Sequence, residues 1–279
     1  MDGARVLATD QAPTPDVAQP AHLSQLSPAR ARAGQSIHYE PGSYRDRNGS
    51  VFYRNGRVFR GLSRTAFENW QVLKSAPFFE KLRRSGRIVD TWDFDPKSLA
   101  GGQGDWVGAL EHARIPFISY PYEWPFGMLK EAALLHLELM REALACDMIL
   151  KDSSPYNVQW NGVHPVFIDI PSFVPLKKGE PWVGYRQFCE LLLYPLMLQA
   201  YKGADFRPWL RGRIDGIPVE DMRRLMSARD LLRPGVLLHI VAQSMLQRRY
   251  SSKTVHVRSR HAEAGFDKGL IERKVDMLT

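Results

Sequence analysis

Hydrophobic and polar positions change rhythm twice along the chain. In SVFYRNGRVFRG, apolar and polar residues alternate on either side of Asn55-Gly56, and an Asn-Gly pair between alternating runs predicts a β-hairpin. Order is expected to begin near Ser36, at IHYE, ahead of the turn PGSYRDRNG. The period then lengthens. A helix is expected from Ser63, an N-cap residue, through Phe67, Trp70 and Leu73 to Ala76, with Pro77 closing it. Strands are expected over Arg87 to Trp92 and Ile115 to Tyr120, with a loop at Gly101, Gly102 and Gly104 between them.

The clearest helical pattern runs from Phe126 to Ala145: Met128, Ala132, Leu135 and Leu139 share a face, while Lys130, Glu131, Glu138 and Arg141 point elsewhere. This reads as a half-exposed packing helix. Two short strands, Val158 to Trp160 and Pro165 to Ile168, flank Asn161-Gly162 as a second hairpin. Beyond Pro181 helices are expected over about 184–202, 205–212, 218–230 and 234–249, the first bent at Pro195. A β-rich part followed by a mostly helical part is a two-lobed α+β plan. Residues 1–33, rich in Ala, Pro, Gln and Ser, read as a disordered arm. Residues 251–279 read as a basic linker and a short amphipathic helix that begins something further.

Composition narrows the classes. With 279 residues, 44% of them hydrophobic, the chain can bury a sizeable core. Its longest apolar run, Leu191 to Leu198, contains Pro195 and falls far short of the roughly 20 residues a membrane helix needs. With no secretory signal pattern at the N-terminus, a cytoplasmic protein is expected. Two cysteines, Cys146 and Cys189, make a disulfide framework or cysteine zinc site implausible. The net charge of +8 favours anionic partners. It is dispersed, and no RNA or DNA motif accompanies it, so nucleic acid is disfavoured. Scattered histidines and the lack of a GxSxG elbow argue against zinc and serine hydrolases.

The chemistry concentrates in MILKDSSPYNVQWNGVHPVFID. Asp152 precedes Asn157 by five positions, and Asp169 closes the hairpin twelve residues later. Phosphoryl transfer needs such a set: one carboxylate to orient or deprotonate an acceptor hydroxyl, and an amide oxygen with a second carboxylate to hold magnesium across the phosphates. Trp106, Tyr120, Tyr122, Trp124 and Trp182 offer aromatic faces to an acceptor or to the core.

In these residues the chain resembles the protein-kinase-like superfamily, in the style of aminoglycoside and choline phosphotransferases. That resemblance implies a two-lobed kinase-like domain over residues 34–250, its N-lobe about 36–120 and its C-lobe about 121–250. It implies a base at Asp152, metal ligands at Asn157 and Asp169, and Mg2+ with ATP or GTP as the donor. No strand lysine of the family's VAIK type is present; Arg57 or Arg60 is a substitute phosphate clamp with Glu68 as its partner, and Lys151 stands where the family has His, Arg or Gly. The runs IPFISYPYEWPFGMLKEAALLHLELMREAL, LKDSSPYNVQ, PVFIDIPSF and EPWVGYRQFCELLLYPL are similar to the kinase-like module found ahead of a SAM-dependent methyltransferase domain in bacterial nodulation-type proteins. Two readings follow from the resemblance: transfer of a nucleotide phosphoryl group to a small-molecule or saccharide hydroxyl, or a catalytically weak module that binds nucleotide or partner and serves a methyltransferase.

Overall fold

In the hairpin of β2 (Val51–Arg54) and β3 (Arg57–Leu62), Asn55 and Gly56 both take positive φ, 52° and 74°, the left-handed pair that a two-residue turn requires. With β1 (His38–Tyr39), β4 (Thr91–Phe94) and β5 (Gly108–His112) it builds a five-stranded antiparallel sheet in the order β1-β2-β3-β5-β4. The computed structural model describes residues 37–45, 49–95, 106–245 and 268–279. The expected arm over 1–33, the loop at Gly101, Gly102 and Gly104 and the basic segment before residue 268 lie outside the described residues.

The pleat sorts the sheet's side chains. Phe52 and Phe59 are register partners with rings 5.5 Å apart, and they form a small aromatic core with Tyr39, Ile37 and Phe94 on one face. On the other face stand Arg60, Leu62, Leu110 and His112, with Arg60 opposite Leu110 and Val58 opposite His112. Helix α1 (Arg64–Ser75) packs beneath the sheet, capped as expected by Ser63, whose side chain accepts from Ala66 N. Pro77 does more than end α1: it opens a second helix, α2 (Pro77–Arg84), because proline's missing N–H costs nothing in a first turn.

The strand expected over Ile115 to Tyr120 is not formed, and Gly108–His112 takes its place beside β3. Pro116 carries no N–H, and the backbone of Ser119 is instead satisfied by a side chain: Ser119 N donates to Gln159 Oε1 (3.0 Å) and Gln159 Nε2 donates to Ser119 O (3.2 Å). Phe117 and Ile118 remain 74% and 51% exposed, so their apolar character did not signal burial.

Helix α3 (Phe126–Ala145) is the centre of the fold rather than a half-exposed support. Leu129, Ala132, Ala133, Leu135, His136 and Leu139 are all buried, and the main hydrophobic core runs through them from Leu62 to Val275. Strand β6 (Met148–Leu150) follows and pairs with β9 (Phe173–Pro175), and the second expected hairpin appears as β7 (Val158–Asn161) and β8 (His164–Phe167).

The remaining chain is helical. Helix α4 (Tyr185–Phe188) runs into a π-helical stretch, Cys189–Leu193, and then α5 (Tyr194–Lys202). The irregularity expected at Pro195 is thus taken up one turn earlier, since the wider turn removes the demand for the missing proline N–H. Then come α6 (Arg207–Gly212), α7 (Val219–Leu225), α8 (Ala228–Leu231), α9 (Pro234–Val236), a π-helical stretch Leu237–Ala242, and α10 (Lys268–Leu278). The sequence suggested that this last helix begins something further. It lays Ile271 and Val275, four positions apart, into the same core, packs on α3, and is tied by Arg141 to Asp276 (3.1 Å) and by Lys268 to Asp147 (2.7 Å). The architecture is α+β, and among the described residues no helix is long and apolar enough to cross a membrane. Cys146 and Cys189 are free thiols.

Candidate functional site

Two short β-pairings set the site. The β6–β9 ladder ends at Leu150 and Phe173, and Ser172, just before β9, clamps the loop leaving β6: Lys151 N donates to Ser172 O (3.0 Å), Asp152 N to Ser172 Oγ (3.1 Å), and Ser172 Oγ back to Asp152 O (3.3 Å). The loop turns on its own side chains. Ser154 N donates to Asp152 Oδ1 (3.2 Å) and Tyr156 N to Ser154 Oγ (3.2 Å), the local bonding that Asp and Ser offer at turns. Gln187 of α4 adds a bond from Ser153 N to its Oε1 (2.8 Å).

The β7–β8 hairpin closes the distance between Asn157 and Asp169. Val158 is the register partner of Phe167, and Ile168 N donates to Asn157 O (2.9 Å), so residues twelve apart in sequence leave the hairpin side by side. The Asp169 carboxylate accepts from Nη1 of Arg60, on the inward face of β3. The side chains are 12% exposed for Arg60 and 17% for Asp169, so this pair is largely desolvated. His112 lies beside it with Nδ1 2.9 Å from Thr91 Oγ1, and burial, then the Arg60 charge, pushes its imidazole down to about 3. That ring is neutral and adds no second cation.

Asp152 has a different setting. Burial, followed by the negative charge of Asp169, raises its carboxyl above the ordinary value of 3.8, while the Ser154 amide and the nearby Asn157 and Gln187 side chains oppose the rise. The Asn157 Nδ2 is buried without a hydrogen-bond partner. That atom is an N–H donor beside the Asp152 carboxyl, so the partner it lacks is an acceptor oxygen and not a cation.

No protein-family model matches the chain. Nodulation protein NoeA of Rhizobium meliloti (strain 1021) is 35% identical to it over 231 residues. The match covers 83% of this chain and 47% of NoeA, so the chain spans about half the length of the curated relative it matches.

Asp152, Asn157, Asp169 and Arg60 lie close together: Arg60 pairs with Asp169, and the Asp169 charge and the Asn157 side chain both act on the Asp152 carboxyl. Lys151 stands next to Asp152, half-buried, with its backbone taken by Ser172. Glu68 does not join: it is exposed on α1, and the arginine it was expected to serve is paired with Asp169 instead. Arg57 is also elsewhere, on the opposite sheet face, bound to Glu111 and lying over Phe59. Sequence reasoning missed Ser172, Gln187 and His112. The last was hidden by the misplaced strand, since only a strand over Gly108–His112 puts it on the Arg60 face. Of the aromatic candidates, Trp124 and Trp182 are core residues, whereas Tyr120 and Tyr122 stack at the surface with parallel rings 5.5 Å apart.

Proposed function

We propose that this chain is a kinase-like phosphotransferase module that moves a nucleotide phosphoryl group to a small-molecule or saccharide hydroxyl. The observation that carries the reading is the convergence of Asp152, Asn157 and Asp169 with Arg60 of β3. The strand order, with α1 and α2 inserted between β3 and β4, supports a β-rich lobe above a helical one, as kinase-like proteins have.

In this reading the raised Asp152 carboxyl, fixed by Ser154 N and Ser172, orients the acceptor hydroxyl and takes its proton. Asn157 and Asp169 offer an amide and a carboxylate oxygen, the hard donors that magnesium takes. Bound with ATP or GTP, that cation would neutralise charge on the phosphates. Arg60 serves as the phosphate clamp in place of a strand lysine.

The Arg60–Asp169 ion pair favours a second reading, a catalytically weak module that binds nucleotide or partner and accompanies a SAM-dependent methyltransferase domain. A guanidinium already neutralises the carboxylate that would hold the metal. Turnover decides between the two. With candidate hydroxyl acceptors and Mg-ATP or Mg-GTP, Asp152→Asn should lower phosphoryl transfer by on the order of 10²-fold while leaving nucleotide affinity in place. Equal turnover in both proteins would leave the second reading.

A further inference from the structure

A cavity of about 680 Å³ opens beside the loop that carries Asn157, lined by Tyr122, Glu123, Asp205, Arg207, Pro208 and Arg211. Its size falls within the roughly 300–1,000 Å³ of small-molecule sites. It forms where the 3₁₀ turn Pro121–Glu123 meets α6. Tyr156, one residue before Asn157, is tied to that wall through its hydroxyl, which donates to Leu210 O of α6 (3.4 Å). Tyr122, which lines the cavity, also lies near the Tyr156 phenol.

The lining has a definite chemistry. Tyr122 is braced by Tyr120, whose parallel ring fixes its plane, and Tyr120 N donates to Glu123 Oε2 (2.8 Å), holding that carboxylate at the rim. Asp205 engages Arg207 through Nε and Nη2 (3.0 and 2.8 Å), which fixes the guanidinium plane. Arg211 has no ion-pair partner among the described residues. Two carboxylates and two guanidiniums cancel in formal charge, so the cavity holds no net attraction for a phosphate or other polyanion. What remains is a rigid aromatic face with planar donors and acceptors around it. That combination suits a ring with an apolar face and a rim of hydroxyls.

We propose that this cavity is a binding subsite for an uncharged saccharide, which stacks on Tyr122 and hydrogen-bonds through its hydroxyls to Glu123, Asp205, Arg207 and Arg211. Its role as the acceptor site rests on the phosphotransfer reading; the binding itself does not.

The test is saturation-transfer NMR and calorimetric titration of the purified chain with glucose, N-acetylglucosamine and the N-acetylglucosamine dimer, with inorganic phosphate as the anionic arm and no nucleotide present. Saturable binding of at least one sugar is expected, weakened on the order of tenfold in Tyr122→Ala and retained in Tyr122→Phe, which keeps the ring. Melting of each variant shows that its fold persists, and Arg211→Met, at an exposed position, gives a second loss independent of the ring. Absence of saturable sugar binding, tighter binding of phosphate than of any sugar, or unchanged affinity in both Tyr122→Ala and Arg211→Met would overturn the proposal. A separate titration with Mg-ATP or Mg-GTP reports on the phosphotransfer reading, so sugar binding without nucleotide binding upholds this subsite alone.

Discussion

The loop after β6 and the turn after β8 each bring one carboxylate within electrostatic reach of the other, and they hold it by opposite means. Asp169 is met by a guanidinium from a strand 109 positions away, in a contact both side chains make mostly out of water. Asp152 is met only by neutral donors, chiefly the Ser154 amide, and burial raises its carboxyl. A carboxyl buried among neutral dipoles is inclined to keep a proton. The proposed phosphotransfer reading gives the two groups different work: Asp169 is fixed by an ion pair, and Asp152 would exchange a proton with the acceptor.

Breaking the paired side should cost most. Arg60→Met leaves the Asp169 charge uncompensated beside Asp152 and should lower stability by about 2 kcal/mol in urea unfolding, below the roughly 3–5 kcal/mol of a fully buried pair because both partners keep some exposure. Arg60→Met with Asp169→Asn should recover more than half of that loss. An equal loss in the single and double variants would mean that the pair does not hold the cleft together.

Loosening the neutral side should cost less. Ser172→Ala removes both hydroxyl bonds to the Asp152 backbone and should destabilise by about 1 kcal/mol, with Asp152 losing its fixed position. Unchanged unfolding would place the clamp elsewhere.

The smallest effect has the most informative sign. The folded chain holds the Asp152 proton to higher pH than the unfolded chain does, so stability falls as pH rises from the ordinary Asp range through the raised value, and the cost is complete above it. Asp152→Asn should therefore melt about 2 °C above the wild type at pH 7, and the gain should vanish as pH falls below about 4. A variant that melts lower at pH 7 would make Asp152 a structural cap.

Much of this was legible in the sequence where local chemistry decides the outcome. The Asn55-Gly56 turn forms because few other residue pairs take two left-handed conformations without strain, the second hairpin turns instead on Gly162-Val163 with positive φ at Gly162 alone, and Ser63 caps α1 because its hydroxyl meets a free first-turn amide. Asp152, Asn157 and Asp169 could be placed together because a short hairpin returns the chain to its start. What escaped was long-range or two-sided. Nothing near Arg60 announces Asp169 as its partner. The apolar letters of Ile115 to Tyr120 outweighed Pro116, while the strand that exists, Gly108–His112, is short and ends in Glu and His. Helix α10 buries only Ile271 and Val275 fully, too sparse a stripe to forecast its seat on α3.

If Asp152 and Asp169 serve one metal-dependent nucleotide site, as proposed, the melting temperature tests that directly. Wild type and Asp169→Asn should be melted with ATP or GTP at millimolar concentration, with and without magnesium. A rise that requires both nucleotide and magnesium, and that Asp169→Asn largely abolishes, is the predicted result, since a ligand bound only by the native state stabilises it by mass action. No rise with either nucleotide, or an equal rise in both proteins, would contradict it.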